Sequence, residues 1–240
     1  MSMVRFVQVY IVQGMIFLFF LFIAYRILKH NRRRINYYFC GWYIGVALAN
    51  VFNFIYAPLT DELIVFILNF ITNFLILFSS IFIVVFEIYF LSNLNEEKKF
   101  STKNQYLIIS IYGILCFCMI LIPNGVTINE NTNWKPVYTL PFFIYIFSLL
   151  TFLVFIPLLY FSYQILKELK DDQLKKKWRY YILGICSIYL LTIITFFSNL
   201  LNNEGFRQVS AVVGLILIVF GAYFIYYGAI SNLKRPKEIN

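Results

Sequence analysis

Glu87 lies deep in the apolar stretch IFIVVFEIYF (81–90), and it is the one ionisable residue in the central part of any long apolar run in this chain. A carboxyl placed in hydrocarbon is costly and is usually kept for a purpose. Three uses fit it: a proton or cation path, a conformational switch, or a structural pair with a base such as Arg26. Ser80 stands seven residues before Glu87, and Asn69, Thr72 and Asn73 stand further upstream. The offsets of 3, 4, 7 and 7 keep all five on one face of a helix. Asn50 and Asn53 are three apart in a second run. Thr192, Thr195, Ser198 and Asn199 follow one another at helical spacing in a third, and Gln13 adds an amide in the first. Uncharged amides and hydroxyls in this pattern can line a pocket for a ligand. They can equally bond helix to helix. Asn50, Asn53, Asn69, Thr72, Asn73, Thr195 and Asn199 are the candidate ligand-binding set; Glu87 and Ser80 are the candidate switch or ion path.

Other chemistry lacks its parts. The chain has no phosphate-binding glycine loop, no HExxH and no nucleophile elbow. Its single histidine, His30, lies in a polar loop with no nucleophile beside it. Cys40, Cys116, Cys118 and Cys186 all fall inside apolar runs, which argues against a disulfide framework or a metal site. No enzymatic activity and no bound metal are expected.

The elements that carry these residues must sit in lipid. The chain is 61% hydrophobic and only 13% charged, about half the charge of a soluble domain. A bilayer core takes ~20 apolar residues of helix, because the backbone must satisfy its own hydrogen bonds there. Seven segments qualify, at about 6–28, 35–57, 63–92, 105–123, 137–166, 178–202 and 208–230. The first shows no small-residue cleavage site before Arg26 and reads as a retained span. Pro157, interior to the fifth, predicts a kink. The expected fold is an all-α, seven-helix transmembrane domain over 1–233, followed by a basic tail at 234–240.

Basic residues set the expected orientation. Seventeen of the 20 Lys and Arg fall in the loops after spans 1, 3 and 5 or in the tail; only Arg5, Lys135 and Arg207 fall on the other side. The N-terminus is therefore expected outside and the C-terminus in the cytoplasm of a plasma membrane. The net charge of +9 then reads as a topology signal that meets anionic lipid on the inner leaflet, and not as a nucleic-acid footprint. The longest outer loop, NGVTINENTNWKP (124–136), reads as a solvated connection that could also cap a site, with Trp134 as an interfacial anchor.

The chain repeats itself. YRILK (25–29) and YQILK (163–167) close spans 1 and 5; YYFCG (37–41) and YYILG (180–184) open spans 2 and 6; spans 3 and 7 end IYFLSNL and IYYGAISNL. Three markers recur in one order, as a parallel 3+1+3 repeat would require. Shared use of interfacial residues is the competing account. Small residues recur as Gly41, Gly45 and Ala49 in span 2 and as Gly214, Gly221 and Gly228 in span 7. Such rows let helices approach closely, inside the bundle or at a homo-oligomer seam.

Seven spans with this topology invite comparison with known families. Microbial rhodopsins hold retinal on a lysine of helix 7, and QVSAVVGLILIVFGAYFIYYGAI (208–230) has none, so no retinal or other cofactor is expected. Sugar transporters of the SWEET and PQ-loop type share the 3+1+3 plan, but their Pro-Gln motif is missing here. The chain most resembles the seven-helix N-terminal sensor region of prokaryotic histidine kinases. YYFCGWYIGVALAN (37–50), KDDQLKKKWRYYILG (170–184) and IYYGAISNLKR (225–235) carry the likeness. It implies a receptor-like protein that binds a small or lipid-borne ligand in its outer half and signals to a cytoplasmic or membrane partner. In that family an output domain follows the last helix, whereas about ten residues follow here; the chain works alone, couples to a partner, or is a fragment. A small-solute or ion transporter and a structural subunit of a membrane complex remain the alternatives.

Overall fold

The computed structural model describes residues 6–30, 33–94 and 100–233. The tail at 234–240, Arg5, Arg32, Lys98 and Lys99 lie outside the described residues. Among the described residues, seven helices are long and apolar enough to cross a membrane. They are α1 (Gln13–His30, entered through a π-helical turn at Val7–Val12), α2 (Arg34–Tyr56), α3 (Glu62–Leu94), α4 (Thr102–Phe117), α5 (Leu140–Glu168), α6 (Asp172–Leu201) and α7 (Glu204–Leu233). Together they make a multi-pass membrane protein, with aliphatic and aromatic side chains exposed on its outside, among them Leu18, Leu63, Ile114, Phe152 and Val212.

Several boundaries differ from those read off hydropathy, and three of the differences have a local structural cause. First, α6 starts at Asp172, six residues before the expected 178, because the Asp171 side chain accepts the Gln173 N–H at 2.7 Å and caps a polar first turn. Second, α4 gives way after Phe117 to a 3₁₀ turn, Cys118–Leu121. Third, residues 137–139 are not helical. Val137–Tyr138 is a strand, β2, paired antiparallel with β1 (Val126–Thr127) in the register Val126↔Tyr138. The expected open loop is thus a folded hairpin. Asn129 and Thr132 form a capping box over the short turn Glu130–Thr132, and Asn133 and Trp134 complete it with positive φ. Ile128, buried against Tyr56, Val65 and Trp134, pins the hairpin to the ends of α2 and α3.

Pro157 is accommodated by a change of winding. Residues Thr151–Phe155 of α5 form a π-helical turn, in which the Ile156 N–H reaches back to Thr151 O. Thr151 Oγ1 and Tyr189 Oη lie 2.7 Å apart at this turn, and the Phe155 and Tyr189 rings stack at 3.7 Å.

The glycine rows point into the bundle. A Cβ at Gly41 would meet the Phe82 ring at 3.1 Å, and Gly45 faces the Ser79 side chain, so this row seats α2 on α3. Gly214 and Gly221 face Leu191 and Ile188, and Gly228 faces the Lys177 carbonyl, so the second row seats α7 on α6. Gly184 of α6 completes that seat, with the Gly221 carbonyl 2.6 Å from where its Cβ would stand. The first helices of the two sets seat differently: α1 lies along α2, whereas α5 makes its broader contact with α3. The repeated pentapeptides share a local structure. Lys29 Nζ sits 5.6 Å over the Tyr25 ring and Lys167 Nζ 4.4 Å over the Tyr163 ring, each one turn beyond its tyrosine.

Candidate functional site

The hairpin roofs a cavity of about 750 Å³ between α1, α2, α3, α6 and α7. All seven candidate ligand-binding residues line it, and so does Gln13. Their helices bring them together because each presents its amides and hydroxyls on the face turned toward the same gap.

Many of these groups also bond across helices. Asn53 donates to Gln13 Oε1, which ties α2 to α1. Asn69 donates to the Tyr56 hydroxyl at 3.2 Å, and Asn73 donates to Asn69 Oδ1 at 3.0 Å. Tyr138 of the hairpin donates to Asn73 Oδ1 at 2.9 Å and also interacts with Asn199. Asn50, Thr72 and Thr195 donate to carbonyls of their own helices, at Val46, Leu68 and Leu191. Lining a cavity and bonding helix to helix are compatible in these residues: a carboxamide has two donors and two acceptor lone pairs, and one bond to a neighbour leaves further hydrogen-bonding capacity toward the cavity.

The cavity is layered. Charges stand at its rim, where Lys135 of the hairpin forms an ion pair with Glu204 and Arg207 donates to Pro136 O at 3.0 Å. Below the rim comes the girdle of amides and hydroxyls. The lining residues one turn deeper are apolar: Ile16 after Gln13, Ile76 after Asn73, Leu191 before Thr195, and Gly214 and Leu215 after Ala211. Beneath that floor Phe20, Tyr43, Leu77 and Ala222 are fully buried, with the Tyr43 hydroxyl on the Ala222 carbonyl at 3.3 Å. The space ends about halfway through the bundle. A smaller cavity of about 310 Å³ at the opposite end, lined by Arg33, Arg34, Asn36, Tyr89 and Asn93 among others, shares no residue with it.

Glu87 occupies a different site, fully buried in the half of the bundle away from the hairpin. It accepts a hydrogen bond from Ser162 of α5 at 2.7 Å. Tyr181 packs against Phe86 and Trp178, and the Trp178 ring stacks on Phe90 at 5.1 Å. Tyr181 interacts with the carboxyl, yet Glu87 Oε2, Tyr181 Oη and Trp178 Nε1 are all buried outside hydrogen-bond geometry. Of the three uses open to Glu87, a pair with Arg26 does not form; that guanidinium lies 5.1 Å over the Phe22 ring. Ser80 is not part of the Glu87 cluster either, since its hydroxyl is spent on Ile76 O at 3.0 Å. Glu87 and Ser80 thus share a helix face without forming a continuous path.

Sequence reasoning missed Tyr138, Arg207 and Glu204 at the cavity and Ser162 and Tyr181 at Glu87. Arg207 carried a signal, as one of the few basic residues on its side of the chain. The tyrosines and Ser162 carried none, because each meets its partner across more than 60 residues of sequence.

No protein-family model, curated protein or solved structure matches this chain. Its class rests on its own geometry: a predominantly helical, multi-pass membrane protein with a polar cavity under a hairpin in one half and a buried carboxyl in the other.

Proposed function

We propose that this protein is a receptor-like membrane protein that binds a small molecule in the hairpin-roofed cavity. The observation that carries the reading is the cavity itself, with all seven candidate residues on its walls and a fully buried apolar layer beneath its floor. A transport path would need to join this cavity to the smaller one at the opposite end, and the buried layer of Phe20, Tyr43, Leu77 and Ala222 stands between their levels. The basic-residue bias supports placing the hairpin outside a plasma membrane and the N-terminus with it. The seat of α2 on α3 and of α7 on α6 supports a 3+1+3 plan, and the different seats of α1 and α5 mark where the two halves have diverged. On this reading α3 is the output element: one continuous helix carries Asn69 and Asn73 at the cavity and Glu87 near its other end. A cytoplasmic or membrane partner would read its displacement, in keeping with the resemblance to kinase sensor regions.

Two measurements test this. Single cysteines at Asn131 and Gln173, in a background whose four native cysteines are alanine, should react with a membrane-impermeant thiol reagent on intact cells at 131 and not at 173. A screen of small molecules in lipid nanodiscs should find ligands that raise the melting temperature of the protein but not of Asn73→Leu, without flux in proteoliposomes. Ligand-dependent flux would replace the receptor with a transporter.

A further inference from the structure

The order of chemistry along the cavity specifies the shape of its ligand. Three layers follow one another from the hairpin inward. The rim holds two cations, Lys135 and Arg207, against one acid, Glu204. The girdle is uncharged and offers both donors and acceptors through Gln13, Asn53, Asn69, Asn73 and Tyr138. The floor is aliphatic, made of Ile16, Ile76, Leu191 and Leu215, and Gly214 brings α7 within close reach of Leu191 there.

Each layer excludes something. An ion held in the girdle would be buried among neutral groups with no counter-charge, which is costly. The same ion at the rim meets a net positive charge. A wholly polar solute would leave the floor in contact with water, whereas an alkyl chain there would be stabilised in proportion to the apolar surface it covers. A purely apolar solute would strip water from the girdle amides and return nothing.

We propose that the ligand is a small anionic amphiphile, seated tail inward, with its acid group at the Lys135–Arg207 rim and a hydrogen-bonding linkage in the carboxamide girdle. This rests on the cavity being the binding site. The rim also gives the hairpin a part in recognition. Lys135 is already paired with Glu204, so an incoming acid group competes with Glu204 for it, and Arg207 joins the hairpin at Pro136 O to the start of α7.

The test uses the full chain in phosphatidylcholine nanodiscs, with its four cysteines replaced by alanine and Ala211→Cys placed in the cavity wall. A small water-soluble methanethiosulfonate should label this cysteine. N-dodecanoylglycine is the probe. Near saturation it should slow labelling about tenfold, and Arg207→Gln and Leu215→Trp should each abolish the protection, with Ile76→Trp standing in if Leu215→Trp does not fold. Equal protection by dodecyltrimethylammonium or 1-dodecanoylglycerol overturns the anionic head. Equal protection by N-acetylglycine overturns the tail. No protection by N-dodecanoylglycine overturns the class while the labelling itself leaves the cavity standing. A cysteine that does not label in the folded protein overturns the water-accessible cavity, and the proposed function with it.

Discussion

Ser162 donates its hydroxyl to Glu87 Oε1 at 2.7 Å, and through this bond α5 is tied to α3 in the half of the bundle farthest from the cavity. The pair is fully buried, so each member would leave the other unsatisfied if removed.

Ser162→Ala should lower stability by about 1–2 kcal/mol, at the upper end for interhelical hydrogen bonds in membranes. Glu87→Gln keeps an acceptor for Ser162 and should cost less than Glu87→Ala. Ser80→Ala is the control, since that hydroxyl only bonds its own helix, and should change stability by less than about 0.5 kcal/mol. Equilibrium unfolding in mixed micelles orders the four variants. A Ser80→Ala loss as large as that of Ser162→Ala would contradict the assignment.

Gly184→Ala and Gly228→Ala should each destabilise by about 1–3 kcal/mol, the usual cost of overpacking. Their new methyl groups meet backbone, the Gly221 and Lys177 carbonyls, which cannot swing aside. Gly14→Ala has nothing within 4 Å and should be neutral or mildly stabilising. Melting temperatures of the three read this directly.

Tyr138→Phe removes the bond from the hairpin to Asn73 and should cost about 1 kcal/mol. The same change loosens the roof, so the labelling rate of a cysteine at Ala211 should rise while the thermal unfolding transition stays cooperative. An unchanged rate would show that the remaining contacts, Ile128 against α2 and α3 and Lys135 and Pro136 against α7, suffice to hold the hairpin down.

The Lys135–Glu204 pair is half in water, with the Glu204 side chain 61% exposed. A double-mutant cycle with Lys135→Ala and Glu204→Ala should give a coupling under about 1 kcal/mol, falling as salt is added. A coupling that ignores salt would mean that the rim is drier than its geometry indicates.

The seven spans were legible because lipid imposes a length and an apolar composition on any crossing helix. The girdle was legible because helical periodicity gathers Asn69, Thr72 and Asn73 on one face, and the faces of α2 and α6 show the same pattern. Three things escaped for physical reasons. The start of α6 is polar, so hydropathy begins only where lipid does, while the Asp171 cap sets the real boundary. The hairpin draws its order from docking Ile128 onto α2 and α3, a tertiary effect with no local signature. The partners of Glu87 come from α5 and α6, and no pattern within α3 could name them.

The π-helical turn at Thr151–Phe155 works as a phase shift. On the near side of it, Phe142, Ile146 and Leu149 face the core; on the far side, Leu158, Ser162 and Ile165 do. A regular helix through the same residues would turn the far half by roughly a quarter of a revolution and carry Ser162 away from Glu87. One widened turn thus sets the rotational register of α5, and the hydrogen bond deep in the opposite half of the bundle depends on it.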